Sequence, residues 1–497
     1  MSPLHILMVA SEAWPWAKTG GLADVVAALP EALARLGHRV TTVLPRYRGV
    51  DVAGAASVTR TIAIGSVRHD VDLHVLAVGE RQRVVFVDVP ALFDRPGIYG
   101  LGPGEFDDNA ERYAVLAAAA LEHATRDRTW PAVDVIHAHD WQAGLAPVLV
   151  RTDERYRERF AQAGLVMTIH NLAYQGTFDR EVVPRFGLPW SAFRIDTGEF
   201  WGRFSFLKAA VTAADLVTTV SPQYARETLT PEFGVGFDGV LGTVGDRYVG
   251  ILNGIDTDLW DPASDPHLPA SFRAGDLAGK LACKRAVLER FNLPVGDDAL
   301  ARPLVAMVSR LVSQKGLGLV LDAADELADL DATWVFVGTG ELQYEDGLRA
   351  LAARYPARIG VHIGFDEPLA HLVEAGADMF LMPSVFEPCG LNQMYSLRYG
   401  TVPMVTAVGG LDDTVQPYTA RARHANGFKF RDQSVPTLIR TLTQAIRLYH
   451  DKDIWVPLME RGMRAEHSWQ TSAREYVRVY RRARQLAPVR GSGWRAV

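Results

Sequence analysis

The stretch Lys18-Thr19-Gly20-Gly21-Leu22-Ala23-Asp24-Val25 decides how the N-terminal half of this chain folds. An apolar run at His5–Ala10 precedes it and has the length and composition of a short buried strand. After Gly21 the apolar residues recur at helical spacing, which predicts that a helix begins at the second glycine. The first backbone N–H groups of a helix have no partner within it, so this strand, loop and helix start predict an anion site. Lys18 adds a positive charge there, and the alternative is an ordinary helix start that contains two glycines.

Length, charge and cysteine content limit the class of protein. The chain has 497 residues, more than one hydrophobic core accommodates, and therefore predicts at least two domains. Its formal net charge is −6, so we expect no broad basic surface and no nucleic-acid partner. The two cysteines, Cys283 and Cys389, are too few for a disulfide framework or a four-cysteine zinc site. Because we find neither a signal-peptide pattern nor an apolar run of about 20 residues, we expect a cytoplasmic protein that has no membrane partner.

Short β-branched runs alternate with helical patterns along both halves of the chain. This alternation predicts two α/β domains, each with a parallel sheet that helices cover on both faces. Asn-Gly, Asp-Pro and further prolines cluster at Ile251–Pro269, which predicts a hinge there. We therefore expect an N-terminal domain over residues 1–250, a second domain over 251–467, and a helical segment over 468–497 that packs back on the first domain. Ligands of open α/β sheets bind at the carboxyl ends of the strands, so we expect the site in a cleft between the domains.

A second cationic loop, Ser309–Gly316, follows a predicted strand in the second half. Arg310 presents a planar guanidinium fork and Lys315 a compact charge, and both suit phosphate oxygens. Hydrogen bonds of charged groups contribute about 1.5–3 kcal/mol each, so these two cations and Lys18 would suffice to hold a diphosphate as a leaving group. The alternative is that both are surface cations on an ordinary loop.

Glu387 lies between the predicted strand Met379–Met382 and the predicted helix Leu391–Tyr399. A carboxylate at a helix start is often only a capping group, but in a cleft it would bind a hydroxylated ligand or a developing positive charge. The glycine pair at 409–410 predicts a further turn rich in free amides. Cys389 is expected to be a small packed residue rather than a nucleophile, because no histidine is near it in sequence.

Polar residues end two predicted strands of the first half: His137, His139, Asp140, His170 and Asn171. We expect Asp140 and His170 to form hydrogen bonds with a polar ligand, and Asn253 either to do the same or to form a turn. The two histidines of the first of these strands are expected to point to opposite faces of it. No HExxH or EF-hand pattern accompanies them, so we predict no metal site.

In this order along the chain, these segments make the sequence similar to the family of bacterial glycogen synthases and plant starch synthases. The segments that carry the resemblance are Lys18–Val25, His139-Asp140-Trp141, His170-Asn171, Asn253-Gly254-Ile255-Asp256, Arg310–Gly316, Phe386–Leu391 and Gly409–Val415. The resemblance implies the GT-B fold, in which two Rossmann-like, doubly wound domains face each other across a deep cleft. It also implies retaining transfer of glucose from ADP-glucose to the non-reducing end of an α-1,4-glucan such as glycogen, with release of ADP and without a cofactor or metal.

The resemblance implies five catalytic residues: Lys18, His170, Arg310, Lys315 and Glu387. Arg310 and Lys315 would clamp the diphosphate, assisted from the other domain by Lys18 and the amides of Gly20 and Gly21. Glu387 would hold the sugar hydroxyls and support the transition state.

The resemblance also implies substrate-binding roles. Asp140, His170 and Asn253 would bind glucose, and Tyr99 and Phe365 occupy positions where the family has rings near the nucleotide or sugar. Phe365 replaces an expected tyrosine, and Tyr395 stands where broader relatives have a second glutamate. The remaining expected substrate-binding residues lie in the same motifs: Asp24, Asn171, Gln314, Cys389, Gly390, Leu391 and Thr414.

Other functions fit the sequence less well. An NAD-dependent oxidoreductase would also use doubly wound domains, but the Gly-x-Gly-x-x-Gly turn is absent after the first strand. A two-lobed sugar-binding protein would explain a cleft but not three cations converging on it. Glycogen phosphorylase shares the GT-B layout, but it is longer and carries a pyridoxal-phosphate lysine for which we find no motif. No well-placed nucleophile is evident, so we expect retention through front-face attack. The preference for ADP or UDP stays open.

Overall fold

The computed structural model describes residues 2–101 and 104–487, which form two compact units. The first unit comprises the chain up to Gly254 and the C-terminal helix Trp469–Leu486, and the second unit is Ile255–Ser468. Each unit is built around one large sheet with helices, which confirms the predicted α/β class. Within the described residues, no helix combines the length and the apolar character that crossing a membrane requires.

The main sheet of the first unit is mostly parallel. The strands of this unit are β1 His5–Val9, β2 Arg39–Pro45, β3 Ala56–Ile64, β4 Val67–Gly79, β5 Gln82–Asp88, β6 Gly100–Leu101, β7 Gly104–Glu105, β8 Val135–His139, β9 Gly164–Ile169, β10 Thr177–Phe178, β11 Glu199–Phe200, β12 Arg203–Ser205, β13 Leu216–Thr219 and β14 Tyr248–Gly250. The main sheet has the order β14-β13-β9-β8-β1-β2-β5-β4-β3. Its strands pair in parallel from β14 to β5.

The hairpin of β3 and β4 is antiparallel, so the prediction of an entirely parallel sheet was wrong for this edge. Antiparallel strands need no crossover helix and tolerate water on one face. Thr59 and Thr61 point to such a face, where their hydroxyls donate to Asp72 and Asp70 across the hairpin, at 2.5 Å and 2.7 Å.

Helices cover the first sheet. They are α1 Gly21–Arg35, α2 Pro90–Phe93, α3 Asn109–Arg126, α4 Asp140–Ala143, α5 Leu145–Thr152, α6 Glu154–Arg159, α7 Val182–Arg185, α8 Phe206–Ala213, α9 Pro222–Glu227 and α10 Asp238–Val244. The C-terminal helix joins α1 in one buried cluster, in which Tyr476 and Tyr480 pack with Val135 and Val166 of the sheet. This helix, the last one in the described residues, therefore belongs to the core of the first unit.

The second unit has an entirely parallel sheet with the order β17-β16-β15-β18-β19-β20. Its strands are β15 Leu304–Val308, β16 Thr333–Gly338, β17 Ile359–Ile363, β18 Met379–Met382, β19 Val402–Thr406 and β20 Phe428–Phe430. Its helices are α11 Ala278–Arg290, α12 Asp297–Ala301, α13 Leu317–Asp322, α14 Ala324–Asp329, α15 Leu342–Arg354, α16 Glu367–Gly376, α17 Asn392–Arg398, α18 Gly409–Thr414, α19 Val435–Tyr449 and α20 Lys452–Met463. Successive residues of one strand, such as Val305 and Ala306, enter two separate buried clusters, so both faces of this sheet are covered.

Each main sheet has one point where the strand order reverses. The chain leaves β1 toward β2 on one side and later returns to β8 on the other side of β1; β15 has β16 and β18 as its neighbours in the same way. The loops that follow such adjacent strands diverge and leave a crevice at the carboxyl ends of the strands. Half of the predicted site residues lie in the loops after β1 and after the central strands β15 and β18 of the second sheet.

Candidate functional site

In the first unit, a buried carboxylate that the sequence analysis did not single out holds the loop after β1. Glu12 accepts hydrogen bonds from the backbone N–H groups of Thr19 at 2.5 Å and Gly20 at 3.3 Å, and from the Thr19 hydroxyl at 2.6 Å. The hydroxyl of Tyr99 donates to the same carboxylate. The Gly20 amide, which we expected to be open to an anion, is therefore already bonded to Glu12. An acidic residue between the first strand and the glycine pair was the available signal.

Lys18 remains accessible beside this loop. Its ammonium group donates to Oδ1 of Asp24 at 2.6 Å, and the two side chains are 38% and 29% exposed. Ion pairs of this exposure contribute about 0–1 kcal/mol, so an arriving polyanion can draw Lys18 away from Asp24 at little cost. The helix α1 begins at Gly21, as predicted, and its N-cap residue Gly20 supplies no side-chain cap.

The second group of predicted residues meets where β8 and β9 end. Nδ1 of His139 lies 3.0 Å from Nε2 of His170, and Oδ1 of Asp140 accepts the backbone N–H of His170 at 2.7 Å. Asp140 has a φ angle of 56°, in the left-handed region that Asp tolerates better than most residues. Asn171 forms a turn, in which its Oδ1 accepts the N–H of Ala173 at 3.0 Å.

The expectation that His137 and His139 point to opposite faces was wrong. Their ring centroids are 4.0 Å apart, because residues two positions apart on a strand share a face. Nδ1 of His137 lies 2.9 Å from the Tyr480 hydroxyl of the C-terminal helix, so this histidine is part of the core. In the described part of the chain, no group of three or more His, Cys, Asp or Glu residues is arranged to hold a metal ion.

Burial sets the protonation of this group. It raises the pKa of Asp140 to about 7, and the charge of Glu12 acts in the same direction. It also lowers the pKa of His170 to about 3 and that of His139 well below its ordinary value, so both histidines are neutral. Asn253, beyond the end of β14, is buried, and its Oδ1 has no hydrogen-bond partner among the described residues. That oxygen is shielded from solvent, and its capacity to accept a hydrogen bond is unused.

In the second unit, the structure brings Lys315 and Glu387 together. Nζ of Lys315 lies 2.5 Å from Oε2 of Glu387, and the Ser384 hydroxyl donates to the same oxygen at 3.1 Å. The two charged side chains are 17% and 8% exposed. Gly316 has a φ angle of 75°, and a Cβ there would lie 2.0 Å from the Pro383 carbonyl oxygen. Glycine thus lets the loops after β15 and β18 approach closely enough to form this pair.

Arg310 lies beside the pair in sequence and is exposed, and its guanidinium group has no hydrogen-bond or ion-pair partner among the described residues. Gln314 connects the two loops. Its side-chain Nε2 donates to the Phe386 carbonyl at 3.1 Å, and its backbone carbonyl accepts the N–H of Val385 at 2.8 Å. Around this pair, the described residues of the second unit therefore offer Arg310 as an unpaired cation and Lys315 as a cation paired with a carboxylate.

Of the other predicted residues of the second unit, some lie near Glu387 and one, Phe365, has no contact with it in the described part of this unit. Gly390, Leu391 and Thr414 adjoin the Glu387 loop: Gln393 Nε2 donates to the Gly390 carbonyl at 2.9 Å and lies 3.2 Å from the Thr414 hydroxyl oxygen. Cys389 in the same loop is 5% exposed and therefore packed.

Phe365 follows β17, is 82% exposed, and is not brought to the Lys315–Glu387 pair by any contact within the described part of the second unit. The ring of Tyr395 stacks on Trp260 with a centroid distance of 3.8 Å. Tyr395 thus fills a packing position in this unit.

Comparisons with known proteins agree along nearly the whole chain. A family described as "Starch synthase catalytic domain" matches residues 5–243, and one described as "Glycosyl transferases group 1" matches residues 296–455. A glycogen synthase of Koribacter versatilis is 44% identical over 97% of this chain and 99% of that protein. One of Anaeromyxobacter dehalogenans is 47% identical over 98% of this chain and 100% of that protein. The solved catalytic domain of starch synthase IV from Arabidopsis thaliana, bound to ADP and acarbose, is 32% identical with a TM-score of 0.88, covering 97% of this chain and 100% of that chain.

Proposed function

The chain belongs to the glycogen synthase and starch synthase family of glycosyltransferases, and we propose that it transfers glucose from ADP-glucose to the non-reducing end of an α-1,4-glucan, releasing ADP. The observation that carries this proposal is the group of Arg310, Lys315 and Glu387 at the carboxyl ends of β15 and β18. Cations beside a carboxylate suit a donor that combines a diphosphate with a hydroxylated sugar.

The proposed chemistry follows from where charge develops. Cleavage of the bond between glucose and diphosphate places negative charge on the phosphate and positive charge on the sugar ring. Arg310 and Lys315 stabilise the leaving diphosphate, while Glu387 binds the sugar hydroxyls and offsets the ring charge. Lys315 then exchanges part of its contact with Glu387 for phosphate oxygens. We propose that the configuration is retained through front-face attack, in which the leaving phosphate takes the proton of the acceptor hydroxyl.

The first unit supplies the remaining contacts in this proposal. Lys18, next to Asp24, Gly20 and Gly21, assists the diphosphate, whereas Asp140, His170, Asn171 and Asn253 bind the glucose. Tyr99 acts through Glu12 and thereby holds the Lys18 loop. The chemistry uses these side chains without a metal or cofactor, and no nucleic acid or membrane takes part. Both cysteines are buried and neither forms a disulfide, which suits the reducing cytoplasm in which we propose that the enzyme works.

The proposal is tested by measuring ADP and UDP release in parallel, with ADP-glucose or UDP-glucose as donor and glycogen as acceptor. We expect faster turnover with ADP-glucose and new α-1,4 linkages by NMR of the product. Glu387→Ala should lower kcat by about 10²–10³ and leave ADP binding nearly unchanged, because it removes an interaction with the reacting sugar. Arg310→Ala should raise the KM for ADP-glucose and lower kcat.

The matched control is Arg354→Ala, which removes another exposed arginine of the second unit, one that pairs with Asp325 at 2.5 Å. It should keep full activity. A wild-type protein that transfers no glucose from either donor would refute the proposed reaction. Normal kinetics for Arg310→Ala would instead remove Arg310 from the diphosphate clamp.

A further inference from the structure

His139 is a buried histidine to which the proposed reaction assigns no role. It ends β8, its side chain is fully buried, and its Nδ1 lies 3.0 Å from Nε2 of His170. Its other ring nitrogen, Nε2, is shielded from solvent and has no hydrogen-bond partner among the described residues. The ring of His137 packs against it with a centroid distance of 4.0 Å. Nδ1 of His139 is therefore hydrogen-bonded to His170, whereas Nε2 has no partner among the described residues.

A neutral imidazole has one N–H group and one lone pair, so the contact allows two proton arrangements. In one, Nδ1–H of His139 donates to Nε2 of His170. In the other, Nε2–H of His170 donates to His139, whose own proton then sits on Nε2 as a buried N–H group without an acceptor. Buried unpaired N–H groups are rarer in proteins than buried unpaired acceptors, so the first arrangement is favoured. Burial lowers the pKa of both rings, which excludes a doubly protonated form near neutral pH.

In the favoured arrangement, His170 carries its own proton on Nδ1. That atom has no hydrogen-bond partner among the described residues, and it is not one of the fully enclosed polar atoms, although the residue as a whole is only 9% exposed. The contact of Nε2 with His139 fixes the ring of His170, so Nδ1–H is an oriented hydrogen-bond donor that a ligand can reach.

We propose that His139 is a positioning residue that fixes the tautomer of His170, so that Nδ1–H of His170 donates to a hydroxyl oxygen of the transferred glucose. The identity of the ligand rests on the proposed function, whereas the tautomer rests only on contacts within the first unit. Without His139, the proton of His170 is free to occupy either ring nitrogen. A ligand oxygen then loses its donor in part of the molecules.

The tautomer is read directly by magic-angle-spinning NMR of the full-length protein labelled with ¹⁵N-histidine. We expect a protonated Nδ1 and an unprotonated Nε2 on His170, and a protonated Nδ1 on His139. The signals are assigned by their loss in His170→Gln and His139→Asn. A proton on Nε2 of His170 in the wild-type protein would overturn the proposal. This measurement needs no turnover, so its failure is distinct from a failure of the proposed reaction.

Kinetics then separate positioning from packing. His139→Ala removes the donor and should lower kcat/KM for ADP-glucose about tenfold, the effect of losing one hydrogen bond. It should also give mixed tautomers at His170. His139→Asn, whose amide N–H can replace Nδ1–H, should restore most of the activity and a single tautomer.

The control is His123→Ala, which removes a different histidine of the first unit, on α3, whose Nε2 also lacks a partner among the described residues. It should have wild-type kinetics and a wild-type spectrum of His170. If His139→Ala folds and retains both full activity and the single tautomer, the proposal is wrong. If His139→Ala does not fold, the protonated nitrogen of His170 in the spectrum of the wild-type protein tests the proposal alone.

Discussion

Three carboxylates follow strands of the two sheets, and each has a different set of partners. Glu12 accepts from backbone and hydroxyl donors, and Asp140 accepts the backbone N–H of His170. In the second unit, Glu387 faces the ammonium group of Lys315. At Asp140, burial outweighs the hydrogen bonds and raises the pKa to about 7, so this carboxyl titrates near neutral pH.

Asp140→Asn should therefore change how stability depends on pH. Between about pH 4 and pH 7 the native state holds a proton on Asp140 that the unfolded chain has released, so this residue makes the free energy of unfolding fall as pH rises. Asn keeps the acceptor for His170 and tolerates the positive φ angle. From pH 5 to pH 8, the wild-type protein should lose about 3 kcal/mol relative to Asp140→Asn, measured by chemical denaturation.

Asp127→Asn is the matched control, because hydrogen bonds from Thr129 and Arg83 lower the pKa of Asp127 to about 2 despite burial. That carboxyl is ionised in both states above pH 5, so its substitution should cost the same at pH 5 and pH 8. Parallel pH profiles of the wild-type protein and Asp140→Asn would contradict the raised pKa.

The sequence showed which residue types carry the chemistry, but not the groups that hold them. Lys315 and Glu387 were predicted for one site, and the structure places them in contact. Glu12 was missed because its role depends on Tyr99, which is far away in sequence and adjacent only after folding. Likewise, the contact of His139 with His170 exists only because β8 and β9 are neighbours in the sheet.

At the level of elements, prediction succeeded where a segment is buried on both faces and failed where it is exposed on one. The strand predicted at Met379–Met382 is β18, which is buried along its whole length. The hairpin of β3 and β4 was missed because its polar face interrupts the apolar runs. The helix predicted at Leu391–Tyr399 is α17, which is one residue shorter at each end.

The start of α18 is packed against the Glu387 loop, so a single methyl group there should disturb the site. Gly409 has a φ angle of 42°, and a Cβ on it would lie 1.9 Å from the carbonyl oxygen of Glu387. Gly409→Ala should therefore displace Glu387 and lower kcat by about 100-fold, since a displacement of about 1 Å suffices for such a loss. Initial rates at saturating ADP-glucose measure the effect.

Gly318→Ala provides the comparison within the same unit. Gly318 lies in α13, and a Cβ there would have no neighbour within 4 Å. This variant should keep its kcat and gain about 0.5–1 kcal/mol in the free energy of unfolding, because alanine favours the helix. If Gly409→Ala folds and has a normal kcat, the backbone around residue 409 accommodates the methyl group without displacing the Glu387 carboxylate.

For the whole molecule, the C-terminal helix is a structural part of the first unit. A Cβ at Gly164, the first residue of β9, would lie 2.7 Å from the Cβ of Ala483, so strand and helix are in close contact. Ending the chain before Trp469 should expose this side of the sheet. Hydrogen exchange should then become fast in β1 and β9 but stay slow in β15 and β16, because the second unit has its own core.

Tyr480→Phe is the control for this truncation, because it changes the same helix without removing it. It keeps the helix and removes only the hydroxyl that contacts Nδ1 of His137 at 2.9 Å, so it should cost about 1 kcal/mol and leave exchange in β1 slow. Equal loss of protection in both units after the truncation would show that they do not fold independently.

The position of that last helix has a consequence for synthesis on the ribosome. The chain leaves the first unit after Gly254 and returns to it at Trp469, and Ile255 and Ser468 pair in a parallel bridge at this point. The second unit is thus complete when its last residue emerges, while the first still lacks a helix that covers its sheet. At usual rates of translation, the N-terminal sheet waits for about ten seconds or longer with part of one face uncovered. Nascent chains of this protein should therefore need chaperones for the half that is made first.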